Sequence, residues 1–363
     1  MFRNESIYIA GPECFYTGGN EILNAMRRRS ESFGFSVTLP NDDSLDLSHE
    51  DLRKNADEIF ENCAKSMNES TAIIVDLEAF RGSEPDNGSI YEIGMAYARG
   101  IRCYGYTRDK RNVLWKNQGA KLVDGIVYDE SGRIHPYADL PFAPSVIGST
   151  KVVEGDFDDC LKMMMIDIEE EYKESAKRSE YIDHSNKTTK AESDRLLVYL
   201  SGPARYDMDG ERKYGIMKEI CRKYGFDAVS PLDMADGVEK IATDNPYIRA
   251  ANEFDNYQQH VRNCDIIIAD LNDFRGWESC NDTGFECGMA FQLGKKMYGY
   301  MDDTTIMKKR IPNYGEEAGN RDMCGSNVEN FDYPVNLMFA SSMKIFEGSF
   351  ENVISRIAED IKK

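Results

Sequence analysis

Apolar positions along this chain fall into two alternating patterns. Short continuous runs such as Ser6–Ala10 (SIYIA), Ala72–Asp76 (AIIVD), Leu197–Ser201 (LVYLS) and Ile266–Asp270 (IIIAD) read as buried strands. Between them lie stretches with apolar residues at helical spacing: Asn20–Phe33, Asp51–Met67, Arg212–Tyr224 and Ala250–Cys264. In the second, Ile59, Cys63 and Met67 share one face; in the last, Phe254, Tyr257 and Val261 do. Gly34-Phe35 and Gly225-Phe226 supply helix stops. Strands alternating with helices predict parallel sheets covered on both faces.

The pattern occurs twice. Ala72–Tyr106 (AIIVDLEAFRGSEPDNGSIYEIGMAYARGIRCYGY) returns as Ile266–Tyr300 (IIIADLNDFRGWESCNDTGFECGMAFQLGKKMYGY). Gly11-Pro12 and Gly202-Pro203 stop the first strand of each copy, and STKVVEGDFDDCL and SMKIFEGSFENVI close them. Two domains are therefore expected, residues 1–175 and 195–363, joined by a polar linker over 176–194. Each should be an α/β, flavodoxin/Rossmann-like, doubly wound parallel-sheet unit, the two forming an internal pseudo-dimer. Two poorly periodic stretches, Thr107–Asp139 and Met301–Asp332, read equally well as loops over a site or as surface insertions. Ligands of such sheets sit at the strands' carboxyl ends, where Gly11-Pro12, Pro40, Arg81-Gly82 and the Asp86 loop converge.

The net charge of −20 argues against a nucleic-acid or anionic-membrane partner. No apolar run reaches membrane-spanning length. Nine cysteines without a CxxC pair, behind a start that enters a strand directly, fit reduced thiols and a cytoplasmic location. The four scattered histidines offer no i,i+4 metal pair. Neither GxSxG nor GxxxxGK[ST] occurs.

What remains is a pair of acids. Asp86 lies in a Pro/Gly loop, and Glu92 follows six residues later in the first turns of a helix predicted over Ile90–Arg99. There the helix dipole should lower the Glu92 pKa and keep it ionised. An ionised carboxylate beside one in a different environment suits displacement at a glycosidic carbon. On spacing alone, a turn Asp and a helix N-terminal Glu placed for local reasons is the commoner arrangement.

Taken together, IYIAGP, FRGSEPDNGSIYEIGMAYARG and YGY resemble the nucleoside 2-deoxyribosyltransferase family. VYLSGP, KYGFDAVSPLD, DLNDFRGWE, FECGMAFQLGKK, YGYMDD and PVNLM are similar, so the resemblance covers nearly all of the chain except the linker. It implies a Glu nucleophile that carries 2-deoxyribose, an Asp that shuttles a proton with the base, a strand Tyr that restrains the Glu, and an Asn lent by a neighbouring subunit. Those roles fall on Glu92, Asp86, Tyr8 and Asn336 in one composite site. Gly11, Asp42, Asn62 and Gly88 are further substrate-binding candidates, although Asp42 also suits a turn cap and Asn62 a polar helix position; Phe15 or Tyr16 could stack on a base or pack in the core. The second candidate site has Tyr199 and Glu286, but Cys280 stands where copy one has Asp86 and Ala143 where copy two has Asn336. Asp282, two residues on, is its remaining acid. One working site per chain follows, with copy two as scaffold and donor of Asn336.

The activity implied is transfer of 2-deoxyribose between nucleobases through a glycosyl-Glu92 ester, in nucleoside and nucleotide salvage. It would take small 2′-deoxynucleosides and free bases, with no metal or organic cofactor, and leaves homo-oligomerisation open. The alternatives are hydrolysis of 2′-deoxynucleoside 5′-monophosphates, for which only Arg205 offers an anion partner, and nucleoside binding without catalysis.

Overall fold

The computed structural model describes residues 5–39, 42, 45–116, 119–175 and 195–361. The expected linker at 176–194 and the strand end at Pro40-Asn41 lie outside the described residues. In chain order the first copy contains β1 (Ser6–Ala10), α1 (Gly19–Ser32), β2 (Ser36–Thr38), α2 (Leu52–Asn68), β3 (Ala72–Asp76), α3 (Asn87–Arg99) and β4 (Arg102–Thr107). A short α4 (Val113–Lys116), the hairpin β5 (Lys121–Val123) and β6 (Ile126–Tyr128), α5 (Pro144–Ser149), β7 (Lys151–Glu154) and α6 (Phe157–Ser175) complete it. The second copy runs β8 (Leu197–Ser201), α7 (Gly210–Lys223), β9 (Asp227–Val229), α8 (Pro246–Asn263), β10 (Ile266–Asp270), α9 (Asn281–Gln292) and β11 (Lys296–Met301). It ends with α10 (Met307–Arg310), α11 (Leu337–Ala340), β12 (Lys344–Glu347) and α12 (Phe350–Ile361).

Each copy forms a five-stranded parallel sheet, β2-β1-β3-β4-β7 and β9-β8-β10-β11-β12. The strand order reverses between β1 and β3, and again between β8 and β10, so each copy has a crevice at those carboxyl ends. Strand residues alternate between two buried faces. Ile7, Ile9, Ile74 and Tyr104 pack outward on α1 and α6, whereas Tyr8, Ala10, Ile73 and Val75 face α2 and α3. The second sheet is covered outside by α7 and α12.

The inner helices of both copies share a single core that includes Ile90, Ile93, Phe254, Phe285 and Met289. α3 and α9 pack backbone to backbone because each carries a glycine at the contact. A Cβ on Gly94 would lie 2.1 Å from the Phe285 carbonyl oxygen, and one on Gly288 1.8 Å from that of Tyr91. The loops before these helices also touch reciprocally: Ser83 N–H donates to the Arg275 carbonyl at 3.1 Å and Trp277 N–H to that of Arg81 at 3.0 Å. The two copies are thus an internal pseudo-dimer.

Both poorly periodic stretches cross over to the other copy. Ile134 N–H donates to the Tyr206 carbonyl at 2.9 Å, and Asn327 N–H to that of Phe15 at 2.8 Å. Each copy's loop therefore covers the crevice of its counterpart.

Candidate active site

α3 begins at Asn87, three residues earlier than the sequence pattern suggests, because Asp86 caps it. Its Oδ2 accepts from Ser89 N–H at 2.8 Å and from Ser89 Oγ at 2.6 Å. Glu92 consequently sits in the second turn, inward from the helix N-terminus where the dipole acts most strongly. Burial dominates there. It raises the Glu92 pKa from 4.5 to about 8; the Tyr8 hydrogen bond lowers it, and the charge of Asp86 raises it again. The expectation of a lowered, permanently ionised Glu92 is overturned by this burial. Tyr8, fully buried in β1, donates to Glu92 Oε1 at 2.5 Å and fixes it from behind. The Asp86 pKa is also raised, chiefly by burial and against the Ser89 bonds; its Oδ1 has no hydrogen-bond partner.

Asp86 and Glu92 line a cavity of about 410 Å³. Gly11, Cys14 and Phe15 form one wall, and Gly88 and Ser89 the start of α3. The opposite wall comes from the second copy: Asn327 through Phe331, and Asn336 through Met338. Asn336 caps α11, its Oδ1 accepting Met338 N–H at 2.9 Å. It lies so close to α3 that a Cβ on Gly88 would stand 2.7 Å from its Nδ2. The structure therefore brings Glu92, Asp86, Gly11, Gly88 and Asn336 to one cavity, with Tyr8 directly behind it.

Two sequence candidates go elsewhere. Asp42 is exposed, accepts Leu39 N–H at 2.8 Å and pairs with Arg27, so it closes a turn and does not line the cavity. Asn62 is buried in α2 but is likewise not part of the cavity lining. Its counterpart Asn256 holds the chain after β9 through Ala235 N–H and the carbonyls of Pro231 and Asp233. Of the two aromatics proposed to stack on a base, Phe15 lines the cavity and is stacked on Phe80 at 5.4 Å, whereas Tyr16 is not in the lining.

The equivalent place in the second copy is filled. Arg205 occupies the position of Cys14 and forms two bonds to Glu286, at 2.8 and 2.7 Å, with both side chains about 1% exposed. Tyr199 and Ser201 donate to the same carboxylate at 2.7 and 2.5 Å. Burial works against the Arg205 charge, but Glu286 outweighs it and raises the pKa well above the usual value. Asp282 is fully buried, bonded by Tyr206 Oη and by Ser145 N–H at 3.1 Å. It stands where copy one has Gly88, and it supplies α5 with the cap that Ala143 cannot. The space beside Ala143 amounts to only about 30 Å³. Neither Glu286 nor Asp282 is free for a substrate in this arrangement.

Three acids invisible as site residues complete the picture. Glu278 of copy two accepts the first N–H of α3, from Asn87 at 2.8 Å, and Glu84 of copy one accepts Asn281 N–H at 3.2 Å. Burial first, then the Asp86 charge, lifts Glu278 to about 8. Glu329, in the cavity wall, is lifted to about 7, again first by burial. Pairing of FRGSEPD with FRGWESC locates Glu84 and Glu278 as equivalents, but only the helix–helix approach reveals that they cap across copies. All nine cysteines are free, and no helix among the described residues is long and apolar enough to cross a membrane.

Comparison with known proteins matches both halves to one family model. Nucleoside 2-deoxyribosyltransferase is matched over residues 7–138 and again over 198–338. Among solved structures, a 2-desoxiribosyltransferase from Leishmania mexicana is 33% identical, covering 45% of this chain and 97% of that one with a TM-score of 0.35. A 2-deoxyribosyltransferase from Bacillus psychrosaccharolyticus is 17% identical, covering 43% and 89%, with a TM-score of 0.29. An uncharacterised protein of Schizosaccharomyces pombe is 27% identical over 122 residues, 33% of this chain; the match spans 57% of that relative's length. With one model matched twice across most of its length, the chain belongs to the nucleoside 2-deoxyribosyltransferase family.

Proposed function

We propose that the protein transfers 2-deoxyribose between nucleobases at a single site made by both copies. The observation that carries this reading is the shared cavity: Asp86 and Glu92 of the first copy face Asn336 of the second, while the counterpart site is blocked by Arg205. Ionised Glu92 attacks the anomeric carbon as the bond to the base breaks, and Asp86 gives its proton to the departing base. The resulting ester is then attacked by a second base from the vacated face, with Asp86 taking that base's proton and Glu92 recovering its electron pair. Two inversions give retention. Tyr8 holds the attacking carboxylate, and Asn336 closes the sugar end.

Neutral nucleosides suit this cavity better than nucleotides. Its described lining holds the carboxyls of Asp86, Glu92 and Glu329 but no Lys, Arg or His. A 5′-phosphate would meet acids without a cation. Arg205, the one cation near a first-strand turn among the described residues, lies in the second copy and is committed to Glu286. Incubating the protein with a deoxynucleoside and a different free base, then separating products by chromatography, tests the proposal. A new deoxynucleoside is expected; release of free base and 2-deoxyribose 5-phosphate from a 5′-monophosphate without any acceptor base would favour the hydrolase.

A further inference from the structure

The cavity wall lent by the second copy is tied down at one point. Arg81 has its backbone in the left-handed region at φ 52°, unusual for a residue with a side chain, and this turns the guanidinium toward the other copy. Its side chain is 2% exposed. Nε donates to Asp322 Oδ2 at 3.1 Å and Nη2 to the Asn327 carbonyl at 2.5 Å, while Nη1 reaches Glu278 at 3.5 Å. The guanidinium also lies over the rings of Phe15 and Phe80, at 5.2 and 4.5 Å. Asp322 in turn accepts Cys324 and Ser326 N–H on Oδ1, both at 2.9 Å. One cation thus clasps the loop just before Asn327–Phe331, which closes over Glu92.

Arg275 repeats this arrangement in the other direction. It also has φ 52°, and it bonds Asp129 at 3.0 Å, Glu84 at 3.0 Å and the Ile134 carbonyl at 3.2 Å. That loop covers the crevice filled by Arg205. The molecule therefore contains two equivalent clasps, one over an open cavity and one over a blocked one.

We infer that Arg81, with Asp322, is a positioning residue that holds the second copy's loop over the deoxyribosyl site and thereby decides whether a base or water accepts the sugar. The inference rests on the transfer reading above. A glycosyl ester on Glu92 has two acceptors. If water enters, its oxygen bonds the anomeric carbon, the bond to Glu92 breaks with the electron pair returning to the carboxylate, and Asp86 takes the proton. Free deoxyribose is lost. A loop fastened by a buried charge-assisted network limits that water. A base enters with its own flat apolar faces against Phe15 and Phe331 and can occupy the space that water would otherwise need.

The experiment compares wild type, Arg81→Lys, Asp322→Asn and Arg275→Lys by two readouts. The first is the ratio of free deoxyribose to exchanged nucleoside at fixed acceptor base. Loosening the clasp is expected to raise that ratio by about 10-fold in Arg81→Lys and about 5-fold in Asp322→Asn, the loss of water exclusion being felt directly. Arg275→Lys should leave it within about 2-fold, since its clasp covers a blocked crevice. The second readout is amide hydrogen exchange. Residues 320–331 should lose protection in the first two variants, whereas residues 129–135 should lose it in Arg275→Lys. A merely structural role would lower total turnover without moving the product ratio, and that result overturns the inference. Retained protection of 320–331 in Arg81→Lys and Asp322→Asn also overturns it, whatever the activity. Wild type showing no exchange of bases would instead overturn the transfer reading, and with it the claim about acceptor choice.

Discussion

Replacing Glu92 with Gln should remove catalysis and yet make the protein more stable in alkaline solution. Gln keeps the volume, and its carbonyl oxygen can still accept the Tyr8 hydroxyl. What it removes is the need to bury a negative charge. In the folded chain Glu92 ionises only at about 8, against an ordinary value of 4.5, chiefly through burial. Between those limits the unfolded chain has released this proton and the folded chain still holds it. Stability therefore falls as pH rises from about 4.5 to about 8, and the penalty stays constant above that. At 1.36 kcal/mol per pKa unit the full shift corresponds to about 5 kcal/mol, a ceiling that relaxation around an open cavity reduces to about 2–3 kcal/mol. Urea unfolding of wild type and Glu92→Gln at pH 5 and pH 9 gives the comparison, because other buried acids are common to both proteins. The variant should be nearly equal to wild type at pH 5 and clearly more stable at pH 9. Equal stabilities at pH 9, or a less stable variant, would refute the claim that burial controls Glu92.

Other consequences follow from the same geometry. Because the free enzyme needs Glu92 ionised and Asp86 protonated at once, kcat/KM should rise and then fall with pH, with one limb near about 8 where Glu92 titrates; a profile with no limb near about 8 contradicts this. Arg205→Met should destabilise the chain by about 3–5 kcal/mol by stranding the Glu286 charge, and adding Glu286→Gln should recover most of that loss in thermal or urea unfolding. Gly288→Ala places a methyl 1.8 Å from the Tyr91 carbonyl oxygen and should cost about 1–3 kcal/mol by pushing the inner helices apart. A variant as stable as wild type would mean that the two helices are not in close contact.

The alternation of strands and helices was legible because the central strands are continuous apolar runs and the first helix of each copy is followed by a Gly, with Gly34 and Gly225 at φ 93° and 92°. The composite cavity was legible through the family resemblance, which implies an Asp in this loop and an Asn lent by a neighbouring subunit; pairing the two copies then sets Asp86 against Cys280 and Asn336 against Ala143, and these gaps are complementary. Less local features were hidden. A helix start three residues early turned Asp86 into a cap and put Glu92 beyond the reach of the dipole, so burial set its pKa in the opposite direction. Asp42 left a substrate contact and a turn cap equally open in the sequence; its bonds to Leu39 N–H and Arg27 select the turn. Arg205 was visible as a cation opposite Cys14, but its burial against Glu286 depends on contacts across about 80 residues. The Arg81 and Arg275 clasps depend on contacts longer still, across 241 and 146 residues.

The central claim is that one site, completed by the second copy, does the chemistry. Base exchange by Glu92→Ala, Glu286→Ala and Asn336→Ala, measured beside wild type under identical conditions, tests it most directly. The account predicts no exchange for Glu92→Ala, exchange close to wild type for Glu286→Ala, and a severe loss for Asn336→Ala although that residue belongs to the other copy. Equal losses in Glu92→Ala and Glu286→Ala, or undiminished exchange in Asn336→Ala, would contradict it.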